Sequence, residues 1–290
     1  MTKAYTLGSW LEEWMELYVW QSDLARSTKM CYNRAVEALP GRLANIPLSE
    51  LSPLEIRRWL LSVAREHPRA AQLDRQVLLK ALRIASKLGL CGPELCDTDL
   101  QPKLQHEAAR AAILSHSELV RYLHAAAMTD VAPMLMLMAC GLRRGEAMGA
   151  RWEHIDLDAG TLLVAGQRSR CGQAAAAPLK SAASRRLIEL PAALVAVLRR
   201  WPRNISGWVC DCGSHKLYQR HRQLLEDLRL PSDVTLHGLR HSFATAAAAS
   251  GVPIKVLQVS LGHARYQLTA DLYADHLPSL CSVSRSIYSA

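Results

Sequence analysis

The segment Thr235-Leu-His-Gly-Leu-Arg-His-Ser-Phe-Ala-Thr245 brings two histidines and an arginine within five residues. His237, Arg240 and His241 are spaced i, i+3, i+4, so a helix puts them on one face. His237 falls near the helix start, where unpaired N–H groups and the dipole favour an anion. A planar guanidinium fork beside an imidazole suits a phosphate, and Gly238 leaves room for a close approach. The bland alternative is a surface helix with incidental His and Arg.

A second group lies upstream in Gly141-Leu-Arg-Arg-Gly-Glu146. The glycine implies a turn into a helix that carries Arg143 or Arg144 together with Glu146. One of these arginines could hold the other side of a phosphodiester, and Glu146 at i+3 from Arg143 could orient the guanidinium. A plain surface ion pair at this spacing would contribute well under about 1 kcal/mol. Downstream come Leu261-Gly262-His263 and then Tyr273, one of eight tyrosines.

Taken together, GLRRGE, HGLRHSFAT, LGH and a tyrosine ten residues after that last histidine resemble the tyrosine recombinase family, the phage-type integrases. The resemblance covers the whole second domain and rests on four boxes in order, while the first domain resembles the family's helical core-binding domain only by helix number, length and position. It implies that Arg143, Lys180, His237, Arg240, His263 and Tyr273 are catalytic, with Glu146 and His241 supporting. Arg143 follows Gly-Leu directly and is preferred to Arg144. Lys180 precedes Ser181 and a Ser184-Arg185-Arg186 strand, as the family's hairpin lysine does, and no other lysine lies between Lys103 and Lys216.

The chemistry implied is attack by the Tyr273 phenol on a backbone phosphate, giving a 3′-phosphotyrosyl bond and a free 5′-hydroxyl. Arg143, Arg240 and His263 would neutralise the non-bridging oxygens, and Lys180 would protonate the leaving oxygen. His237 would act on the nucleophile side, as base or as donor to phosphate. Two arginines and a lysine take the place of a metal, so no metal and no other cofactor is expected. The partners implied are double-stranded DNA at core recombination sites, a homotetramer on that DNA, and an excisionase or a DNA-bending host protein. The biological task expected is integration or excision of a phage or mobile element, in preference to chromosome-dimer resolution. A type IB topoisomerase-like enzyme and a catalytically silent DNA-binding regulator are the rival readings.

The elements that must position these residues are mostly helical. The expected fold class is mainly α: a small helical core-binding domain and a larger α+β catalytic domain with a small antiparallel sheet. Ser9 with Glu12 reads as a capping box opening a helix to Trp20. Residues 27–39 form a second helix stopped by Pro40-Gly41. Ser52 with Glu55 caps a third, with Pro53 at the first helical position, and 69–88 is a fourth, closed by Gly89. These make a domain of residues 1–90, followed by a linker at 91–107 with two prolines and four acids. A catalytic domain at 108–276 opens on a capping box of Ser115 and Glu118. It has strands at 161–165 and 185–190 around a hairpin loop, and helices from Pro191 onward. In 277–290, Leu277, Leu280, Val283 and Ile287 share a helical face, a tail expected to pack on a neighbouring protomer. Helices of core-binding type start almost at Met1, so no arm-site module is expected.

Composition agrees with a polyanionic partner. The chain carries 35 Lys+Arg against 26 Asp+Glu, a formal charge of +9 over 290 residues. Residues 26–91 hold 12 basic and 5 acidic side chains, and residues 109–290 hold 21 and 13. Two basic surfaces joined by a linker suit a clamp on a duplex. Half the residues are hydrophobic, which excludes disorder as the bulk reading. The longest apolar run, 131–142, is too short to span a bilayer, and the N-terminus lacks a signal-peptide pattern. The reading is therefore of a cytoplasmic, nucleoid-associated protein with no membrane partner. The eight cysteines include no CxxC pair. Cys210-Asp211-Cys212 with His215 is the nearest approach to a zinc cluster, at spacings that favour reduced structural thiols.

Overall fold

The computed structural model describes residues 4–97, 112–168 and 184–262. The chain divides into two compact units, residues 1–109 and 110–290.

The first unit is helical. Helix α1 (Leu7–Trp14) continues as one widened π-helical stretch, Met15–Trp20. It starts two residues before the expected Ser9 cap. Thr6 is the actual N-cap and Ser9 the N3 partner that bonds back to it. Both residues can cap, and burial decides between them: Leu7 is fully buried and has to lie inside the helix. Helices α2 (Arg26–Glu37), α4 (Pro53–Glu66) and α5 (Pro68–Lys87) follow expectation closely. Ser52 and Glu55 form the reciprocal capping box at the start of α4. Pro40 does more than end α2, because it also caps a one-turn helix, α3 (Gly41–Ala44). The core gathers Trp10, Trp14, Ile56, Trp59, Leu60 and Leu82, and the Trp10 indole donates to the Ala81 carbonyl at 3.0 Å.

The second unit is built around α7 (Ala132–Ala139), whose eight side chains are all buried. This is the apolar run noted above. A helix hydrophobic on every side belongs in the middle of a core. Around it stand α6 (His116–Ala126), α8 (Arg144–Met148), α9 (Ala192–Arg200), α10 (Ser214–Asp227) and α11 (Leu236–Ala249). Helix α12 (Ile254–Leu261) packs on α11 through Leu257 and Leu261 against Ala244 and Ala248. The alanine run of α11 thus allows close helix contact.

A three-stranded antiparallel sheet of order β1-β2-β3 lies in this unit: β1 (Ile155–Asp156), β2 (Thr161–Val164) and β3 (Arg186–Glu189). The two longer strands match the sequence expectation within a residue or two, whereas the two-residue β1 is too short to leave a pattern. The fold is therefore mainly α with a small antiparallel sheet, as expected. Among the described residues no helix is long and apolar enough to cross a membrane.

Candidate active site

Five of the residues singled out in the sequence come together in the second unit: Arg143, Glu146, His237, Arg240 and His241. Lys180, His263 and Tyr273 lie outside the described residues, as does the 277–290 tail.

Gly141 has φ +91°, a left-handed turn that swings the chain into α8. A Cβ there would sit 2.8 Å from the Phe243 ring, so the turn also packs directly on α11. Arg143 is the N-cap of α8 and Glu146 its N3 residue. The Arg143 N–H donates to Glu146 Oε2 at 2.9 Å, and its Nη1 donates to Oε1 at 2.7 Å. Main chain and side chain of Arg143 are thus tied to the same carboxylate. Arg240 comes from α11 and is 2% exposed. Its Nη1 donates to the Gly141 carbonyl and its Nη2 to the Leu261 carbonyl, both at 2.7 Å.

His237 and His241 stack edge to face one turn apart, with ring centroids 4.6 Å apart. Thr235 caps α11 by accepting from the Gly238 N–H. A Cβ on Gly238 would sit 2.9 Å from the Ala112 carbonyl, so this glycine lets the segment before α6 lie against α11. His241 is half-buried, while His237 keeps an exposed edge.

The electrostatics follow from crowding three cations around one acid. Burial opposes ionisation of Glu146, but hydrogen bonds and charge from Arg186 and then Arg143 outweigh it and hold the carboxyl below its usual range. Arg240 is pushed down to about 9 by desolvation and then by Arg143, which leaves it charged at neutral pH. His237 is held below the ordinary imidazole value by desolvation, by His241 and by Arg240, Arg143 and Arg144. His241 is lowered by desolvation and by Arg240. Both rings are therefore neutral at pH 7, able to accept a proton as well as donate a hydrogen bond.

Arg186 went unnoticed as a site residue in the sequence. It is buried on β3 and closes on Glu146 with both Nη atoms, at 3.3 and 3.0 Å. The Ser-Arg-Arg run before the strand was the available signal, read there only as the context of Lys180.

The segment Cys210-Asp211-Cys212 packs against the second unit's core and pairs with Arg168. Cys210 is buried, and Asp211 pairs with Arg168 at 2.7 Å. The Arg168 N–H donates to the Gly145 carbonyl, which joins the stretch after β2 to α8. Among the described residues no three His, Cys, Asp or Glu side chains gather as metal ligands.

This arrangement offers a pair of fixed arginines, one pinned by a carboxylate and one by two carbonyls, with neutral imidazoles beside them. It is suited to neutralising an oxyanion such as a phosphodiester. Comparisons with known proteins agree. The model of the phage integrase family matches residues 109–279. Tyrosine recombinase XerC of Brucella suis biovar 1 is 27% identical over 278 residues, spanning 89% of this chain and 87% of the relative. XerC of Xanthomonas axonopodis pv. citri is 26% identical, spanning 94% and 88%. In fold, the chain resembles the Tn1549 transposon integrase in complex with a circular intermediate DNA (TM-score 0.81, 18% identity, 99% and 100% covered). It also resembles a lambda integrase tetramer bound to a Holliday junction (TM-score 0.71, 20% identity, 93% and 78% covered). The family match covers more than half of the chain and includes every residue of the candidate site, so this protein belongs to the phage integrase family of tyrosine recombinases.

Proposed function

We propose that the chain is a site-specific recombinase that cuts and rejoins DNA through a 3′-phosphotyrosyl intermediate at Tyr273. The observation that carries this reading is the pair Arg143 and Arg240, held rigidly around Glu146 in a chain of this family. In the proposed step the Tyr273 oxygen attacks phosphorus, the P–O5′ bond breaks, and Lys180 delivers a proton to the departing 5′-oxygen. The arginines and His263 take the growing charge on the non-bridging oxygens, and Arg143 and Arg240 are in place before reaction begins, so their part needs little reorganisation. His237, neutral at pH 7, acts on the nucleophile side, as base or as hydrogen-bond donor to the phosphate. Reversal with a different 5′-hydroxyl rejoins the strand, and the bond energy is kept in the phosphotyrosine.

In this reading four protomers act on two double-stranded core sites, with residues 1–90 and 108–276 both binding DNA and 91–107 as the connection. The 277–290 tail packs on a neighbour. An excisionase or a DNA-bending host protein sets direction, and the task is integration or excision of a mobile element. The likeness of fold to the transposon integrase favours that task. The sequence relatives are named as tyrosine recombinases and not as integrases, which keeps chromosome-dimer resolution as the second task.

The test is covalent capture. The protein is incubated with a fragment library of the host genome, denatured, and the DNA attached to it sequenced. Adducts at one inverted repeat support site-specific recombination, and the flanking sequence tells an element end from a chromosomal site. Scattered adducts would instead indicate a topoisomerase-like activity. Tight binding without adducts would indicate a silent regulator.

A further inference from the structure

Three successive carbonyls at the end of α12 each accept from a different arginine. Ser260 accepts from Arg186 Nε at 2.6 Å, Leu261 from Arg240 Nη2 at 2.7 Å and Gly262 from Arg143 Nη2 at 2.8 Å. The last carbonyls of a helix lack partners within it and carry the negative end of its dipole, so cations are favoured there. Two of these arginines belong to the proposed phosphate site. The third, Arg186, comes from β3, and no sequence box assigns it a role.

Four of the five N–H bonds of Arg186 have acceptors. Nε is on Ser260, Nη1 on the Ser184 carbonyl at 3.0 Å and on Glu146, and Nη2 on Glu146. Its side chain is 3% exposed, against 2% for Glu146. Strand alternation turns Arg186 to the inward face, beside Val164 of β2, while Leu187 faces out at 64% exposure. Gly262 is shaped to it: with φ +62°, a Cβ there would lie 2.8 Å from Arg186 Nη1. At 3% side-chain exposure this guanidinium, unlike that of Arg143 at 31%, presents almost no surface to a phosphate. What it does is set the Glu146 carboxylate that in turn holds Arg143.

We propose that Arg186 is a positioning residue, which locks Glu146 and the α12 end so that Arg143 and Arg240 are aimed together. It also makes the strand that follows the 169–183 segment part of the same network. The effect on chemistry rests on the recombinase reading above, while the effect on Arg143 does not. Lysine at 186 would keep the charge but lose the planar fork, so it could satisfy Glu146 or Ser260 and not both.

The test compares the full-length parent with Arg186→Lys and Glu146→Gln. The first readout is hydrogen exchange at the Arg143 amide, which donates to Glu146. The control is the Leu114 amide, which donates to Ser242 Oγ in the same unit. In Arg186→Lys, Arg143 exchange should quicken by about tenfold or more with Leu114 unchanged. The second readout is single-turnover cleavage of a nicked core-site duplex. The rate at saturating DNA should fall by about tenfold or more, while the half-saturating DNA concentration stays within about twofold. Arg143 exchange unchanged in Arg186→Lys overturns the proposal. So does exchange that quickens equally at Leu114, because that marks a general loosening. A parent that exchanges as described but cleaves no DNA sinks the recombinase reading and leaves the exchange readout to decide the role of Arg186. Glu146→Gln should reproduce the Arg143 effect, and protection of Arg143 in that variant would also overturn the proposal.

Discussion

Arg240 and Gly141 are 99 residues apart in sequence, yet Arg240 Nη1 donates to the Gly141 carbonyl at 2.7 Å. With its other Nη on Leu261, this guanidinium joins α11, the turn into α8 and the end of α12. Lysine cannot span two carbonyls with one fixed geometry. Arg240→Lys should therefore lower strand cleavage by about 10²–10³-fold, the range seen when a preorganised donor is removed. It should also destabilise the second unit by about 1–3 kcal/mol, since a buried carbonyl loses its partner. Single-turnover cleavage and urea unfolding check the two effects separately.

Gly262 should tolerate no side chain. A Cβ at φ +62° costs about 1 kcal/mol by itself and meets the Arg186 guanidinium at 2.8 Å. Gly262→Ala should destabilise the second unit by about 1–3 kcal/mol, read as a lower urea midpoint. An alanine at Gly41, where a Cβ meets nothing, serves as the neutral comparison.

His221 makes stability fall with acid. The ring is buried between the Tyr122 hydroxyl at 2.8 Å and the Val234 carbonyl at 2.9 Å, so one nitrogen donates to the carbonyl and the other accepts from the phenol. Desolvation lowers its affinity for protons. The unfolded chain binds a proton below about pH 6.5 and the folded chain does not. Stability is therefore full above that pH and declines below it, with a slope that approaches about 1.4 kcal/mol per pH unit for this group. His237 and His241 add the same sign. Hydrogen exchange in α10 between pH 7.5 and 5.5 checks this, and His221→Gln should flatten the dependence.

The pH profile of cleavage follows from the same physics at His237. Its lowered affinity for protons keeps the ring neutral across pH 6.5–8, so the rate should show no titration of this group in that window. An NMR titration of the His237 ring should find a midpoint below 6.5. A midpoint at or above 6.5 would mean that burial, His241 and the neighbouring arginines do not together depress it.

Spacing put His237, Arg240 and His241 on one helical face and Glu146 at i+3 from Arg143, while the choice of Arg143 over Arg144 and the catalytic roles came from the order of four boxes that resemble the tyrosine recombinases. Arg186 could not be named from the sequence, because its partners Glu146 and Ser260 lie 40 and 74 residues away. Its strand also inverts the usual pattern, with an arginine inward and Leu187 outward, so period-2 reasoning points the wrong way. The helices were legible from caps and periodicity, most clearly at Ser52 and Ser115. The start of α1 was misplaced because Thr6 and Ser9 both carry capping hydroxyls, and only the burial of Leu7 separates them. The short α3 and β1 carry too few residues to show a period.

The central claim is that Tyr273 becomes bonded to DNA. Covalent complexes formed on a nicked core-site duplex would be digested with nuclease and protease, and the peptides sequenced by mass spectrometry. The account predicts a nucleotide phosphate on the peptide that holds Tyr273, and its loss in Tyr273→Phe with DNA binding retained. A nucleotide on any other residue, or an adduct that survives Tyr273→Phe, would contradict it.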